Sequence, residues 1–441
     1  MQAYRYALDL TPVQEREALS HIGASRFAYN FLLSQVKAVS DQRYAEKSYG
    51  IPETELTPYF SSSHYSLRKY WNTQKEEVAP WWGENSKEAY SDGARRVSLA
   101  LKNFFDSRSG KRAGPAVGFP KFKKRSDSGS VRFGTGIIRV ESDRHHVTLP
   151  RLGKLKTHES TKKLCRKIES GNARILAATL VHKNGKWYVS FTVETARVNP
   201  VSRKANKIIG VDLGIKTLYT GATPEGNLVL EVGNPKHTKH AEALLRRAQR
   251  KASRRQAPDR GTGQVASNRR KKANRRVQRI HLGIANRRLD LIRKVTTDLA
   301  KNYDVIVVES LNVAGLIKNR HLSKAISDVA WGEFTRQLKY KTAWYGSTLV
   351  EADRFYPSSK TCSGCKAVKA KLLLSEREYA CSACGLIMDR DVNAAVNLAK
   401  LYNSESGSES GRGGKHKLKD SLESNTVAIE TSISKQLEKV A

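Results

Sequence analysis

Hydrophobic positions along the chain change their period several times, and each change marks an element. Residues 4–10 alternate as a short strand that stops at Thr11-Pro12. From Val13 the spacing turns helical, with Leu19, Ile22, Phe27, Phe31 and Leu32 recurring mostly at three- to five-residue intervals. That style continues to about Arg112, with Trp71, Trp81, Trp82, Phe104 and Phe105 as candidate core aromatics. The pattern predicts a helical domain, 11–115, inserted behind a first strand at 1–10.

Gly114-Pro115 and Gly118-Phe119-Pro120 punctuate a switch to alternation. Residues 131–133, 137–140, 146–149 and 175–181 read as strands, and Asn184-Gly185 is a two-residue hairpin signal between the runs 177–182 and 187–193. Residues 116–200 therefore read as a β-rich domain joined by the N-terminal strand. A third domain, 201–402, opens with a buried-strand run at 208–211 and strands at 218–222 and 228–232 around a Thr223-Pro224-Glu225-Gly226 turn. Residues 236–294 hold 20 Lys and Arg against three acids, with a break near 258–268, which predicts two basic helices flanking a loop. A buried strand at 305–308, a helix at 331–345, a strand at 348–352 and a short helix at 392–402 complete the pattern. Beyond Asn403 large apolar residues become sparse, so 403–441 is expected to be a disordered tail. No internal repeat is visible.

The charge balance narrows the partners. Lys and Arg number 79 against 42 Asp and Glu, a formal net charge of +37. Such a surplus attracts polyanions, and its clustering sets it apart from a generic solvated basic surface. No apolar run of about 18 residues is available to span a bilayer, and the first residues lack the apolar core of a signal peptide. The expectation is a cytoplasmic, nucleoid-associated protein whose polyanion is nucleic acid, with no membrane partner and an oligomeric state that the sequence leaves open.

Four of the five cysteines form two pairs, Cys362-Ser363-Gly364-Cys365 and Cys381-Ser382-Ala383-Cys384, 15 residues apart. Two residues between thiolates let both reach one ion from a tight turn, and two such turns complete a tetrahedral shell. The reading is one structural Zn²⁺ in a zinc ribbon, with an iron–sulfur cluster or a redox dithiol as alternatives. Cys165 stands alone and reads as an ordinary small residue.

Asp212 and Glu309 each follow an apolar strand run, and Asp391 sits where Asp389-Arg390-Asp391-Val392-Asn393-Ala394-Ala395 enters a helix. Two have a specific structural explanation, Asp212 as a turn residue and Asp391 as a helix N-cap; Glu309 is harder to dismiss, since a carboxylate directly after four apolar strand residues lies near the buried edge of the sheet. Together, strand-end carboxylates converge where α/β sheets bind ligands, and like charges in one place call for cations. Mg²⁺ favours oxygen donors, and two ions can serve in-line phosphodiester hydrolysis. That makes Asp212, Glu309 and Asp391 the candidate catalytic and metal-binding residues.

The ordered segments Gly210-Val211-Asp212-Leu213-Gly214-Ile215-Lys216, Ile306-Val307-Val308-Glu309-Ser310-Leu311, the double CxxC, and Asp389-Arg390-Asp391-Val392-Asn393-Ala394-Ala395-Val396-Asn397 resemble the TnpB family. Arg26-Phe27-Ala28-Tyr29-Asn30, Gly118-Phe119-Pro120-Lys121-Phe122-Lys123 and Tyr356-Pro357-Ser358-Ser359-Lys360-Thr361-Cys362 support it, so that the resemblance covers roughly residues 1–402. It implies a multidomain α/β protein: a helical recognition domain, a β-rich wedge, and a RuvC-like nuclease of the RNase H fold with a zinc ribbon inserted at 355–388. It also implies an insertion-sequence-encoded, RNA-guided DNA endonuclease whose triad falls on Asp212, Glu309 and Asp391, with Asp389 as the neighbour most easily confused with the third. Its expected partners are a guide RNA and a double-stranded target DNA beside a short flanking motif. Lys366 departs from the family's usual glycine after the first knuckle. Arg246, Arg250, Lys271, Arg275, Arg279, Lys121 and Lys123 are candidate phosphate contacts. A miniature type V CRISPR effector shares this chemistry, and a guided repressor or a strand-transferring transposase would use the same fold differently.

Overall fold

The computed structural model describes residues 1–125, 128–196, 200, 206–259, 261–373 and 375–406, of which 403–406 are described by backbone alone. The chain separates into two compact units, 1–198 with 238–286, and 199–237 with 287–441.

In the first unit the strand β1 (Gln2–Asp9) is followed by α1 (Pro12–Ser48), α2 (His64–Val78) and α3 (Lys87–Arg108). Thr11 starts α1 with a full capping box: its side chain accepts from the Gln14 N–H while Gln14 accepts from the Thr11 N–H. Pro12 sits at the first helical position, where no N–H is needed. Helices α1 and α3 cross closely at Gly93, where a methyl group would fall 2.7 Å from the Ser25 carbonyl oxygen and 2.8 Å from Ala28 Cβ. The remaining elements are β2 (Gly129–Phe133), β3 (Arg139–Val140), β4 (His146–Leu149), β5 (Gly153–Thr157), α4 (Lys162–Glu169), β6 (Ala173–Lys183) and β7 (Lys186–Thr195). They form a seven-stranded sheet in the order β2-β6-β7-β1-β5-β4-β3, with β1 at its centre. The β6–β7 hairpin turns at Asn184 and Gly185, both at positive φ (55° and 70°), which is the geometry Asn-Gly favours. Strand β5 and helix α4 are additions to the sequence pattern. Their apolar residues, Leu155, Leu164 and Ile168, are too few to set a period.

The second unit starts with β8 (Ile208–Leu213), β9 (Thr217–Ala222) and β10 (Leu228–Gly233). The two basic helices follow as α5 (His237–Ser253) and α6 (Asn268–Asn302), and residues 238–286 group with the first unit. Then come β11 (Val305–Glu309), α7 (Val313–Leu316), α8 (Ser323–Val329), α9 (Trp331–Tyr345) and β12 (Thr348–Ala352). A hairpin of β13 (Glu378–Ala380) and β14 (Ile387–Asp389) leads into α10 (Arg390–Ser406). Helix α10 runs four residues into the stretch expected as tail, and 407–441 lie outside the described residues.

The sheet of this unit has the order β10-β9-β8-β11-β12. Strands β8, β11 and β12 are mutually parallel, and β9 runs antiparallel to both β8 and β10. This is the RNase H-like arrangement: three strands of meander, then two added in parallel through helical crossovers. Strand β8 is buried throughout, so it reads as a continuous apolar run. Its alternate residues serve two cores. Ile209, Val211 and Leu213 pack with Ile292, Leu299, Phe334 and Leu338 of α6 and α9. Ile208, Val305 and Val307 pack on the other face against Leu398 and Ala399 of α10.

Candidate carboxylate and metal site

The period-two geometry of strands places the first two carboxylates. Val211 of β8 pairs with Val308 of β11 in parallel register, so Asp212 and Glu309 lie side by side at the C-terminal ends of neighbouring strands. Side chains two residues apart share a face. Asp212 therefore shares the face of Gly210, and Glu309 that of Val305 and Val307, the face α10 covers. Gly210 permits this packing: a Cβ there would lie 2.1 Å from the Ala395 carbonyl oxygen and 2.4 Å from the Ala399 nitrogen. With α10 seated on Gly210, its first turn presents Asp391 to the same end of the sheet.

The structure separates Asp391 from Asp389 by role. The Asp389 carboxylate accepts from the backbone N–H groups of Asp391 and Val392, at 2.8 and 3.1 Å, so Asp389 caps the helix. Asp389 is exposed, whereas Asp391 is half-buried in the first turn. The N-cap explanation thus belongs to the neighbour.

The three acids sense one another. Burial, then the facing charges of Glu309 and Asp391, push the Asp212 carboxyl well above the ordinary range. Glu309 is raised by burial and by Asp391, with Ser358 and Arg390 pulling back. Asp391 is raised by burial, then by Asp389, against Arg377, Arg390 and Lys216. Buried Ser358 donates its hydroxyl to Glu309 Oε1 at 2.5 Å and fixes that side chain. Neither Ser358, in a loop, nor Arg390, at the first position of α10, stands out in the sequence as a site residue, since neither a lone hydroxyl nor a lone cation has a spacing to reveal its target.

Among the described residues, the cysteines are the group of metal-ligating side chains whose donor atoms all lie within 4.8 Å of one another; the carboxylates stand more loosely. Cys362 and Cys384 are 3.6 Å apart at sulfur, as are Cys365 and Cys381. Zn–S bonds of about 2.3 Å at tetrahedral angles require sulfurs about 3.8 Å apart, so the quartet fits a closed zinc shell. The two knuckles repeat one geometry. The Cys362 and Cys381 carbonyls each accept the N–H of the fourth residue on, Lys366 and Gly385, both at positive φ (67° and 73°). The ribbon is pinned to α10 through asparagines. Asn393 accepts from the Ser363 N–H and donates to the Thr361 carbonyl, and Asn397 donates to the carbonyls of Ser358 and Thr361. The same loop therefore carries the Glu309 partner and the first zinc knuckle.

Three family models match the chain: "Probable transposase" over 178–320, "Cas12f1-like, TNB domain" over 331–398 and "Helix-turn-helix domain" over 1–44. A Mycobacterium tuberculosis protein named "Putative RNA-guided DNA endonuclease" is 37% identical over 417 residues, which span 91% of this chain and 86% of that one. A Streptomyces pristinaespiralis protein of the same name is 33% identical across 97% of this chain and 98% of its own. The chain belongs to the TnpB family. A solved Cas12f1 complex with sgRNA and target DNA overlaps 88% of this chain and 83% of its own at 14% identity and a TM-score of 0.49.

For this TnpB family member the match over 178–320 contains Asp212 and Glu309, and that over 331–398 contains all four cysteines and Asp391. Residues 1–44 form a strand and part of one unbroken helix here, without the turn the third model's name describes. The basic candidates lie in the other unit. Arg246 and Arg250 on α5, and Lys271, Arg275 and Arg279 on α6, are exposed at four-residue intervals, one stripe on each helix. Arg246 also pairs with Glu242 at 3.2 Å. Lys121 is exposed, but Lys123 is turned inward. Its ammonium lies 3.8 Å from the centre of the Tyr29 ring, and its backbone is clasped by Asn30 on both sides. Burial lowers the Lys123 pKa to about 8, as the ammonium is packed against the Tyr29 ring.

Proposed function

We propose that this chain is an RNA-guided DNA endonuclease that hydrolyses phosphodiester bonds of target DNA at Asp212, Glu309 and Asp391, directed by a guide RNA and a short flanking motif. The observation that carries the reading is the convergence of three carboxylates on one face of one sheet, each with its pKa raised. An all-carboxylate donor set under mutual repulsion fits Mg²⁺, which takes oxygen ligands and removes the repulsion. Mg²⁺ bound there, as one ion or a pair, would supply Lewis acidity and an activated water for in-line hydrolysis. Asp212 and Glu309 would hold it from the strand ends and Asp391 from the helix. Ser358 keeps Glu309 oriented, and Arg390 adds positive charge beside the scissile phosphate. The cysteine quartet would hold one Zn²⁺ in a closed, structural shell.

The +37 charge supports a long nucleic-acid footprint, and the relatives named as RNA-guided DNA endonucleases support guide RNA and double-stranded DNA as partners. No helix among the described residues is long and apolar enough to cross a membrane. The Cas12f1-like match over 331–398 keeps a miniature CRISPR effector as a second reading. The test is to purify the chain from its native locus, sequence the copurifying RNA and assay guided plasmid cleavage with Mg²⁺ and with EDTA. Mg²⁺-dependent cuts that Asp212→Ala abolishes are expected, and RNA derived from a CRISPR repeat would favour the second reading. Guided binding without cleavage would indicate a repressor, and joined strands without RNA a transposase. If no discrete RNA copurifies and Asp212→Ala cleaves like the parent, the proposal fails.

A further inference from the structure

The loop that leaves β12 is anchored to Glu309 at both ends. Ala352, its last strand residue, pairs in register with Glu309, and Ser358 returns six residues later to donate to the Glu309 carboxylate. Between these anchors the backbone is fixed by its own bonds: the Asp353 side chain accepts from the Phe355 N–H at 2.8 Å, and the Asp353 carbonyl from the Tyr356 N–H. Tyr356 turns inward against Val350 and Leu398. Phe355 turns outward and is 87% exposed; among the large hydrophobic side chains of the described residues, only Met1 is more so.

Isolated exposed apolar residues are ordinary on a protein surface. This one is less easily dismissed, because it lies three residue steps from each anchor, and three steps of chain reach at most about 10 Å. The Phe355 backbone is therefore held close to the carboxylate end of the sheet, with its ring and the neighbouring Arg354 both exposed. A rigidly based aromatic ring with a neighbouring guanidinium is the combination that holds an unpaired base and its phosphate.

We infer that Phe355 is a stacking platform for an unpaired nucleobase within a few nucleotides of the scissile phosphate, and so positions the strand for cleavage. The inference rests on the endonuclease reading above and names a substrate contact that reading does not include. Phe355 is a positioning residue: it touches a base of the strand and leaves the chemistry to the carboxylates.

The test uses the full-length chain with its copurifying RNA, Mg²⁺ and a synthetic target duplex. In separate substrates the cleaved strand carries one abasic site at each of three nucleotides on either side of the cut. Phe355→Ala should slow cleavage of the intact duplex about tenfold, corresponding to about 1.4 kcal/mol, within the range of base–aromatic stacking. Phe355→Trp should restore the rate, and the melting temperature should stay unchanged, because an exposed ring contributes little to folding. At one abasic position the wild type should fall to the rate of the variant, and the variant should lose nothing more. A Phe355→Ala enzyme within twofold of a cleaving wild type overturns the inference alone. So does a tenfold loss that persists, undiminished, at every abasic position. A wild type that shows no Mg²⁺-dependent, Asp212-dependent cleavage overturns the inference and the endonuclease reading together.

Discussion

Gly210→Ala tests whether the seating of α10 on β8 sets the site. The added methyl carbon would lie 2.1 Å from the Ala395 carbonyl oxygen, 2.4 Å from the Ala399 nitrogen and 2.9 Å from Leu398 Cβ. Two of these are backbone atoms, so no side-chain rotation relieves them; the helix must retreat by about 1 Å to restore ordinary contact. Overpacking of this kind costs about 1–3 kcal/mol, which in a domain of this size lowers the melting temperature by roughly 3–10 °C. The same retreat carries Asp391 away from Asp212 and Glu309, and a misplacement of about 1 Å can cost about a hundredfold in rate. Gly332→Ala is the control: it lies exposed near the start of α9, with nothing within 4 Å of the new methyl. That variant should match or slightly exceed the wild type in stability, since alanine is the better helix former. The assay is thermal unfolding alongside Mg²⁺-dependent cleavage at a temperature where both proteins are folded. A Gly210→Ala protein that melts within about 1 °C of wild type and cleaves within about threefold would refute the argument that this crossing fixes the third carboxylate.

Other changes probe the charges and the ribbon. Asp212→Asn should raise the melting temperature in EDTA at pH 8 while abolishing cleavage. The native Asp212 pKa is raised, so the wild type's stability falls as pH climbs from the ordinary carboxylate range through the raised value, and the gain should vanish near pH 4; a variant less stable at pH 8 would contradict this. Ser358→Ala removes the hydroxyl that favours ionised Glu309, so its pKa rises further and the acid limb of the pH–rate profile should move to higher pH. An unmoved limb would deny Ser358 that role. Lys366→Gly relieves a side chain held at a φ of 67°, worth about 1 kcal/mol. Zinc release to a chelator should slow about fivefold, and an equal or faster release would sink the claim.

The end of β11 was legible because burial and chemistry change at one residue: Val305 to Val308 are buried and apolar, and Glu309 is not, whereas β8 runs on past Val211 through buried Asp212 and Leu213. The cysteines were legible because a tetrahedral metal shell calls for thiolates in CxxC pairs. Helix α9 and strand β12 follow the residue ranges their periodicity implies. What stayed hidden depends on tertiary approach. Gly210 looks like any strand glycine until α10 is laid over it, and Ser358 like any loop serine until the chain returns to Glu309. Asn393 and Asn397 sit four residues apart on α10, a helical spacing that says nothing about carbonyls in the ribbon. Residues 153–157 and 162–169 carry too little apolar patterning to announce β5 and α4.

The distinction between Asp389 and Asp391 shows how geometry decides what spacing leaves open. Two carboxylates two residues apart at a helix start cannot both cap it and face the sheet, because successive first-turn positions point about 100° apart. Once Asp389 accepts two backbone N–H groups, its charge is already stabilised by hydrogen bonds and by the helix terminus, and it has little need of a cation. Asp391 lacks that cap, is half-buried, and has its pKa raised rather than lowered. A divalent ion stabilises most where charge is most frustrated, which favours Asp391 over Asp389 as the helix's contribution to the proposed metal site.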